Sequence, residues 1–172
     1  MKKIYPNLYY KKVEEITIET LLKNKIKLLI LDVDNTLIDY YKNLSENIIN
    51  WAKEMRGQGI KLYILSNTNN EDKVKEVAEK LKINYKHFAM KPLKRGFKYV
   101  QQQTKINSEN IAVVGDQIFT DVLGGNRCKM FTILVDPIND EKDYWYTAWK
   151  RPIENKIKKN YKAIEGKNNN VY

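Results

Sequence analysis

Cysteine is nearly absent from this chain. Cys128 stands alone among 172 residues, so no internal disulfide can form and a reducing compartment is the natural setting. Glycine and proline are scarce too, at seven and four. Gly-rich or Pro-rich linkers and internal repeats are missing, and low complexity is confined to the Asn168–Asn170 tail. No uninterrupted apolar run exceeds four residues, as in Leu28–Leu31, against about 20 for a membrane-spanning helix. The opening Met-Lys-Lys-Ile-Tyr-Pro carries basic residues with no apolar run behind them, so it does not read as a secretory signal. These absences predict a cytoplasmic chain that does not cross a membrane but is able to lie against its inner face. No GxxxxGK element is present, so a P-loop nucleotide hydrolase is not supported.

What is present is a globular composition, 42% hydrophobic and 30% charged, at a length that suits one domain. The net charge of +10 comes from 27 lysines and only four arginines, beside 19 asparagines and 19 isoleucines. AT-rich coding DNA produces that pattern whatever the protein does. Attraction to phosphate-bearing partners is the competing explanation of the charge.

Short apolar runs at 27–33, 60–65, 85–89, 111–115 and 131–135 read as buried strands. Helical spacing fills the gaps between them. Ser45 caps a helix with Ile48, Ile49, Ala52 and Met55 on one face, ended by Gly57. Asn70 caps a second, with Val74, Val77, Ala78 and Leu81 as its stripe. Pro92 suits the first turn of a third, which carries Phe97, Val100 and Thr104 inward. A short fourth follows Gln117 and ends at Gly124-Gly125. The expected architecture is α/β: a Rossmann-like parallel sheet of about five strands with helices on both faces. One domain spans 1–172, with its core at about 26–138, an N-terminal flank at 1–25 holding a helix around 14–22, and a C-terminal aromatic and basic segment at 139–172.

Four polar clusters fall at or just beyond strand carboxyl ends, where an open parallel sheet places its ligands. They are Asp32-Val33-Asp34-Asn35-Thr36, Ser66-Asn67-Thr68, Lys91-Pro92, and Gly115-Asp116-Gln117 with Thr120-Asp121. Each alone is ordinary, since Asp after a strand caps or turns and Gly-Asp is a common turn. Together and in this order they point to chemistry. Asp32 and Asp34 alternate along an extended segment, so they share a site only if the backbone turns there. Asp32, Asp34 and Asp116 in one site would repel one another without a cation, and oxygen ligands suit Mg2+. Ser66 and Lys91 offer donors to phosphoryl oxygens, and an ionised Asp32 is a nucleophile that needs no base. A second acid two residues on can protonate the leaving oxygen and later deprotonate water.

The order DVDNTL, SNT, KP and GDQxxTD resembles the haloacid dehalogenase-like (HAD) superfamily, subclass IIIA. The blocks AMKP, GDQIFTDVLGGNR and RPIE resemble the YqeG-type phosphatases, related to the mitochondrial phosphatidylglycerophosphate phosphatase; the likeness runs from about residue 6 to 154. It implies Asp32 as nucleophile and Asp34 as general acid/base. Asp32, the Asp34 backbone carbonyl and Asp116 would surround Mg2+. Ser66 and Lys91 would hold the phosphoryl oxygens with the Asn67 amide close by, and Asp121 would act in the outer shell or orient Lys91. The family commonly shows Ser-Asn-Asn where this chain has Thr68, which puts one peripheral contact in question. Family dehalogenases lack the second acid, present here as Asp34. Receiver domains carry their phosphoacceptor on the third strand rather than the first.

HAD enzymes acting on small metabolites usually carry an inserted cap. Here 34 residues separate Asp32 from Ser66 and 25 separate Ser66 from Lys91, room for a helix and a strand each plus a flap near 37–43. An open site favours a large or surface-presented phosphate: a lipid headgroup such as phosphatidylglycerophosphate at an anionic membrane, a nucleic-acid end, or a phosphoprotein. Trp145 and Trp149 beside the basic stretch from Lys150 to Lys167, with Ile153, Ile157, Tyr161 and Ile164 at helical spacing, predict an amphipathic helix. Such a helix suits an anionic bilayer or single-stranded nucleic acid, or packs on the core. His87 and Cys128 read as packing residues. The alternative from a different class is a non-enzymatic HAD-fold scaffold for RNA or ribosomes, which would need none of Asp32, Asp34, Ser66, Lys91 and Asp116.

Overall fold

The apolar runs and helical stripes assemble into one six-stranded sheet, every pairing parallel, in a computed structural model that describes residues 4–139, 152, 155–157 and 159–160. In chain order the strands are β1 (Leu8–Tyr10), β2 (Leu28–Leu31), β3 (Lys61–Leu65), β4 (Asn84–Lys86), β5 (Ile111–Gly115) and β6 (Phe131–Val135). Their order across the sheet is β1-β6-β5-β2-β3-β4. The helices are α1 (Ile18–Lys23), α2 (Glu46–Gly57), α3 (Glu71–Leu81), α4 (Lys94–Thr104) and α5 (Leu123–Arg127).

Successive strand residues alternate between two cores, because side chains leave a strand on opposite faces. Leu29 and Leu31 join Ile48, Ala52, Met55, Val74 and Val77 on the face covered by α1, α2 and α3. Leu28 and Ile30 join Phe97, Val100 and Val113 on the face covered by α4. Buried on both faces, β2 and β5 carry no polar residue before their carboxyl ends. That is why the polar clusters begin where the strands stop.

The expected caps are in place. The Ser45 hydroxyl accepts from the Ile48 N–H, and the Asn70 side chain from the Lys73 N–H. Several expectations need correction. The sheet has six strands rather than about five, because Leu8–Tyr10 adds to the β6 edge. Three residues are too few for periodicity to reveal, and the register is set from outside by Asn7, whose side chain accepts from the Thr132 N–H. The strand expected at 85–89 ends at Lys86. His87 is therefore half-exposed beside Glu71 rather than buried in a strand. α2 does end at Gly57, as expected, but the positive φ beyond it belongs to Gly59. Pro92 precedes α4, whose N-cap is Leu93, and the Lys91–Pro92 peptide is cis. Gly124 and Gly125 do not end a helix: α5 runs through them, after a single π-helical turn at Ile118–Val122. A Cβ on Gly124 would overlap the Phe97 ring, so glycine there lets α5 meet α4.

Trp145, Trp149, Ile153, Tyr161 and Ile164 lie outside the described residues. Of that segment, residues 152, 155–157 and 159–160 are helical. Ile157 is buried with Ile118, Val122 and Leu134.

Candidate active site

The site forms where β2, β3 and β5 end together. Asp32 extends the ladder by one residue, donating its N–H to the Val114 carbonyl. The backbone then turns. The Val33 carbonyl accepts the N–H groups of Thr36, Leu37 and Ile38, and Asn35 adopts φ 58°. Beyond this turn the Asp34 carboxylate meets Lys73 of α3 rather than joining the Asp32, Asp116 and Asp121 carboxylates.

Asp32, Asp116 and Asp121 are all buried, and their carboxylate oxygens lie within 4.8 Å of one another. The Lys91 ammonium donates to Asp32 Oδ1 and to Asp121 Oδ1, each at 2.7 Å. Thr36 Oγ1 donates to Asp116 Oδ1 at 3.4 Å. Asp121 reaches inward from the π-helical turn, and its other oxygen accepts the Gln117 N–H. Gly115 makes room for it, since a Cβ at that position would overlap the Asp121 carboxylate. Burial alone would drive the Lys91 ammonium toward neutrality, but Asp121 and Asp32 more than offset this and hold its pKa above the ordinary lysine value. Burial pushes the Asp121 carboxyl up, against the pull of Lys91 and with help from the Asp32 charge.

Lys91 is held from behind. The Asn67 side-chain amide accepts the Lys91 N–H at 2.6 Å and donates to the Lys91 carbonyl at 2.9 Å. Ser66 is buried, with its hydroxyl accepting from the Thr68 N–H. Thr68 is peripheral: its carbonyl takes the Phe88 N–H, and its hydroxyl takes the Asn70 N–H.

Two contacts escaped the sequence reading. The Lys73 ammonium lies 2.6 Å from Asp34 Oδ1, so the Asp34 carboxylate is turned to α3 while Asp32, Asp116 and Asp121 cluster. Nothing local distinguishes Lys73 among 27 lysines; its place one turn beyond the Asn70 cap brings it to Asp34. Thr36 stood within the first cluster without a role. As a test of whether a cation fits, three buried carboxylates, Asp32, Asp116 and Asp121, come together beside the Lys91 ammonium among the described residues. Hard oxygen donors in that number suit a small divalent cation.

A sequence model of the family described as "Mitochondrial PGP phosphatase" matches residues 1–139. "Probable phosphatase YqeG" of Bacillus subtilis is 38% identical over 159 residues, covering 91% of each chain. Among solved structures, an uncharacterized Listeria monocytogenes protein superposes with TM-score 0.56 at 20% identity, over 69% of this chain and 85% of that one. The cobalt-bound deoxy-D-mannose-octulosonate 8-phosphate phosphatase of Haemophilus influenzae does so with TM-score 0.52 at 18% identity, over 65% and 69%. These two share the fold. The family match and the Bacillus relative set aside the scaffold alternative. The chain belongs to the mitochondrial PGP phosphatase family and is a HAD-type phosphatase.

Proposed function

We propose that the protein hydrolyses a phosphomonoester through a phosphoaspartate on Asp32. The observation that carries this is the buried Asp32 carboxylate, paired with Lys91 at the carboxyl edge of the sheet beside Asp116 and Asp121. In the first step an Asp32 oxygen bonds to phosphorus, the ester P–O bond breaks, and the protonated Asp34 gives its proton to the leaving alkoxide. In the second, Asp34 takes a proton from water, whose oxygen attacks phosphorus as the Asp32–phosphorus linkage breaks and inorganic phosphate leaves. Lys91 and Ser66 hold the phosphoryl oxygens, joined by the Asn67 backbone N–H. The Asn67 side chain keeps Lys91 in place.

Mg2+ is the proposed metal, held by Asp32, Asp116 and the Asp34 carbonyl, with Asp121 as a further carboxylate at the site. When bound it supplies charge neutralisation for the phosphoryl group. Lys73 steadies Asp34 between its two proton transfers. Phosphatidylglycerophosphate is the proposed substrate, in a cytoplasmic protein peripheral to the inner face of the membrane. Support comes from the family name and from an uncapped site, since among the described residues only the flap and one helix separate β2 from β3.

The test is turnover of a chromogenic phosphoester with and without Mg2+, by the parent and by Asp32→Asn. The amide is nearly isosteric but a poor nucleophile. The variant should fold normally and lose turnover at least a thousandfold, and residual activity within about tenfold of the parent would show that the nucleophile lies elsewhere.

A further inference from the structure

Acidic residues vanish from one stretch of this chain. From Lys80 through Ser108 there is no Asp or Glu and there are eight Lys or Arg, where the average of 21 acids in 172 residues would place between about three and four acids. Compositional drift toward lysine does not remove acids. The stretch contains the loop that delivers Lys91. On it, residues alternate: Ala89 and Lys91 are buried, while Phe88 and Met90 point out, 57% and 37% exposed. Leu93, at the start of α4, is 51% exposed.

This loop is held rigidly. Its Phe88 and Ala89 N–H groups donate to the Thr68 and Ser66 carbonyls, and Asn67 clamps Lys91. The apolar side chains are thus presented on a fixed platform. Beside them a shallow cavity of about 570 Å³ is lined by Lys86, Lys94, Arg95, Lys98, Tyr99 and Gln102, with the Lys86 ammonium 4.5 Å from the Tyr99 ring centre. Across the site the flap adds Tyr40 and Tyr41, and Ile138 follows β6. Six of the eight exposed large hydrophobics among the described residues therefore lie on loops at the catalytic end.

We propose that this face, the 86–98 platform above all, docks the protein onto an anionic phospholipid bilayer with the site mouth turned to the headgroups. Cations draw the platform to the surface, while Phe88, Met90 and Leu93 enter the acyl boundary. Single-stranded nucleic acid would also meet the cations and stack on Phe88 or the tyrosines, but it gives the exposed aliphatic Met90 and Leu93 no apolar medium to enter, whereas a bilayer takes up all of them. The orientation rests on the phosphatase reading, since the same loop carries Lys91; the surface itself does not.

The experiment is co-sedimentation with vesicles of phosphatidylcholine alone or mixed with phosphatidylglycerol, in parallel with hydrolysis of a soluble phosphoester. The parent should bind only the anionic vesicles. A Lys94→Gln/Arg95→Gln/Lys98→Gln variant should lose on the order of 100-fold in partitioning, at about fivefold for each cation. A Phe88→Asn/Leu93→Ser variant should lose on the order of tenfold and keep its salt sensitivity. Asn tolerates the φ of 48° at position 88, and Ser suits the α4 cap, so both substitutions fit the backbone. Both variants should hydrolyse the soluble ester at the parental rate.

The proposal is overturned if both variants sediment like the parent. It is equally overturned if only a Lys156→Gln/Lys158→Gln/Lys159→Gln/Lys162→Gln tail variant loses binding, or if the parent takes up oligouridylate and no vesicles. Failure of the phosphatase reading would appear separately, as a parent inert on the soluble ester whatever the vesicles do.

Discussion

Lys91 shows how much of this site is electrostatic before it is catalytic. Its ammonium pairs with both Asp32 and Asp121, and all three groups are buried. Replacing it by Met would keep the stem and remove the charge, stranding carboxylates without a counter-ion. Such one-sided removal costs about 3–5 kcal/mol, so Lys91→Met should lose turnover and melt well below the parent, as calorimetry would reveal. Lys73 acts on a different group and is only partly buried. We expect Lys73→Met to slow alkyl phosphates by about tenfold or more while sparing p-nitrophenyl phosphate, whose leaving group needs little help from Asp34. An equal loss on both esters would mean that Lys73 only braces α3. Of these two lysines the sequence marks Lys91, through its Pro92 neighbour and its strand-end position. Lys73 stays hidden, because its partner is 39 residues away and only the turn at Asn35 brings them together.

At the scale of elements, legibility followed the source of each element's stability. The helices α2 and α3 announce themselves through caps and apolar stripes, and β2, β3, β5 and β6 through apolar runs that bury both faces. β1 and the π-helical turn have no such local signature. The first is held by pairing to β6, and the second by Asp121 reaching into the site. Glycines reading as a helix end proved instead to be contact points within α5. Gly124→Ala tests that role. Its Cβ would meet Phe97, a fully buried ring, so α4 and α5 must separate or repack. We expect a loss of about 1–3 kcal/mol in denaturant unfolding, the usual cost of overpacking. Gly57→Ala, with open space around it, should be neutral or slightly stabilising because alanine favours the helix.

At the scale of the whole molecule, the site sets stability against function. The chain carries a net +10, yet its catalytic end concentrates three buried carboxylates around one ammonium. Without a cation that concentration opposes folding, and a divalent ion that binds only the folded state should relieve it. Ligand at about a hundred times its dissociation constant stabilises by about 2.7 kcal/mol, so Mg2+ should raise the melting temperature by several degrees. Ca2+ should also raise it while failing to support turnover, because its longer bonds and higher coordination number disturb in-line transfer. Asp116→Asn separates the two roles of the carboxylates. The amide still accepts the Thr36 hydroxyl but removes one negative charge from the cluster. The variant should therefore melt at or above the parent in EDTA, lose most of the Mg2+ shift, and turn over poorly. A variant that melts below the parent in EDTA yet retains the full Mg2+ shift would place the cation away from Asp116, and with it the charge conflict on which this reading of the site depends.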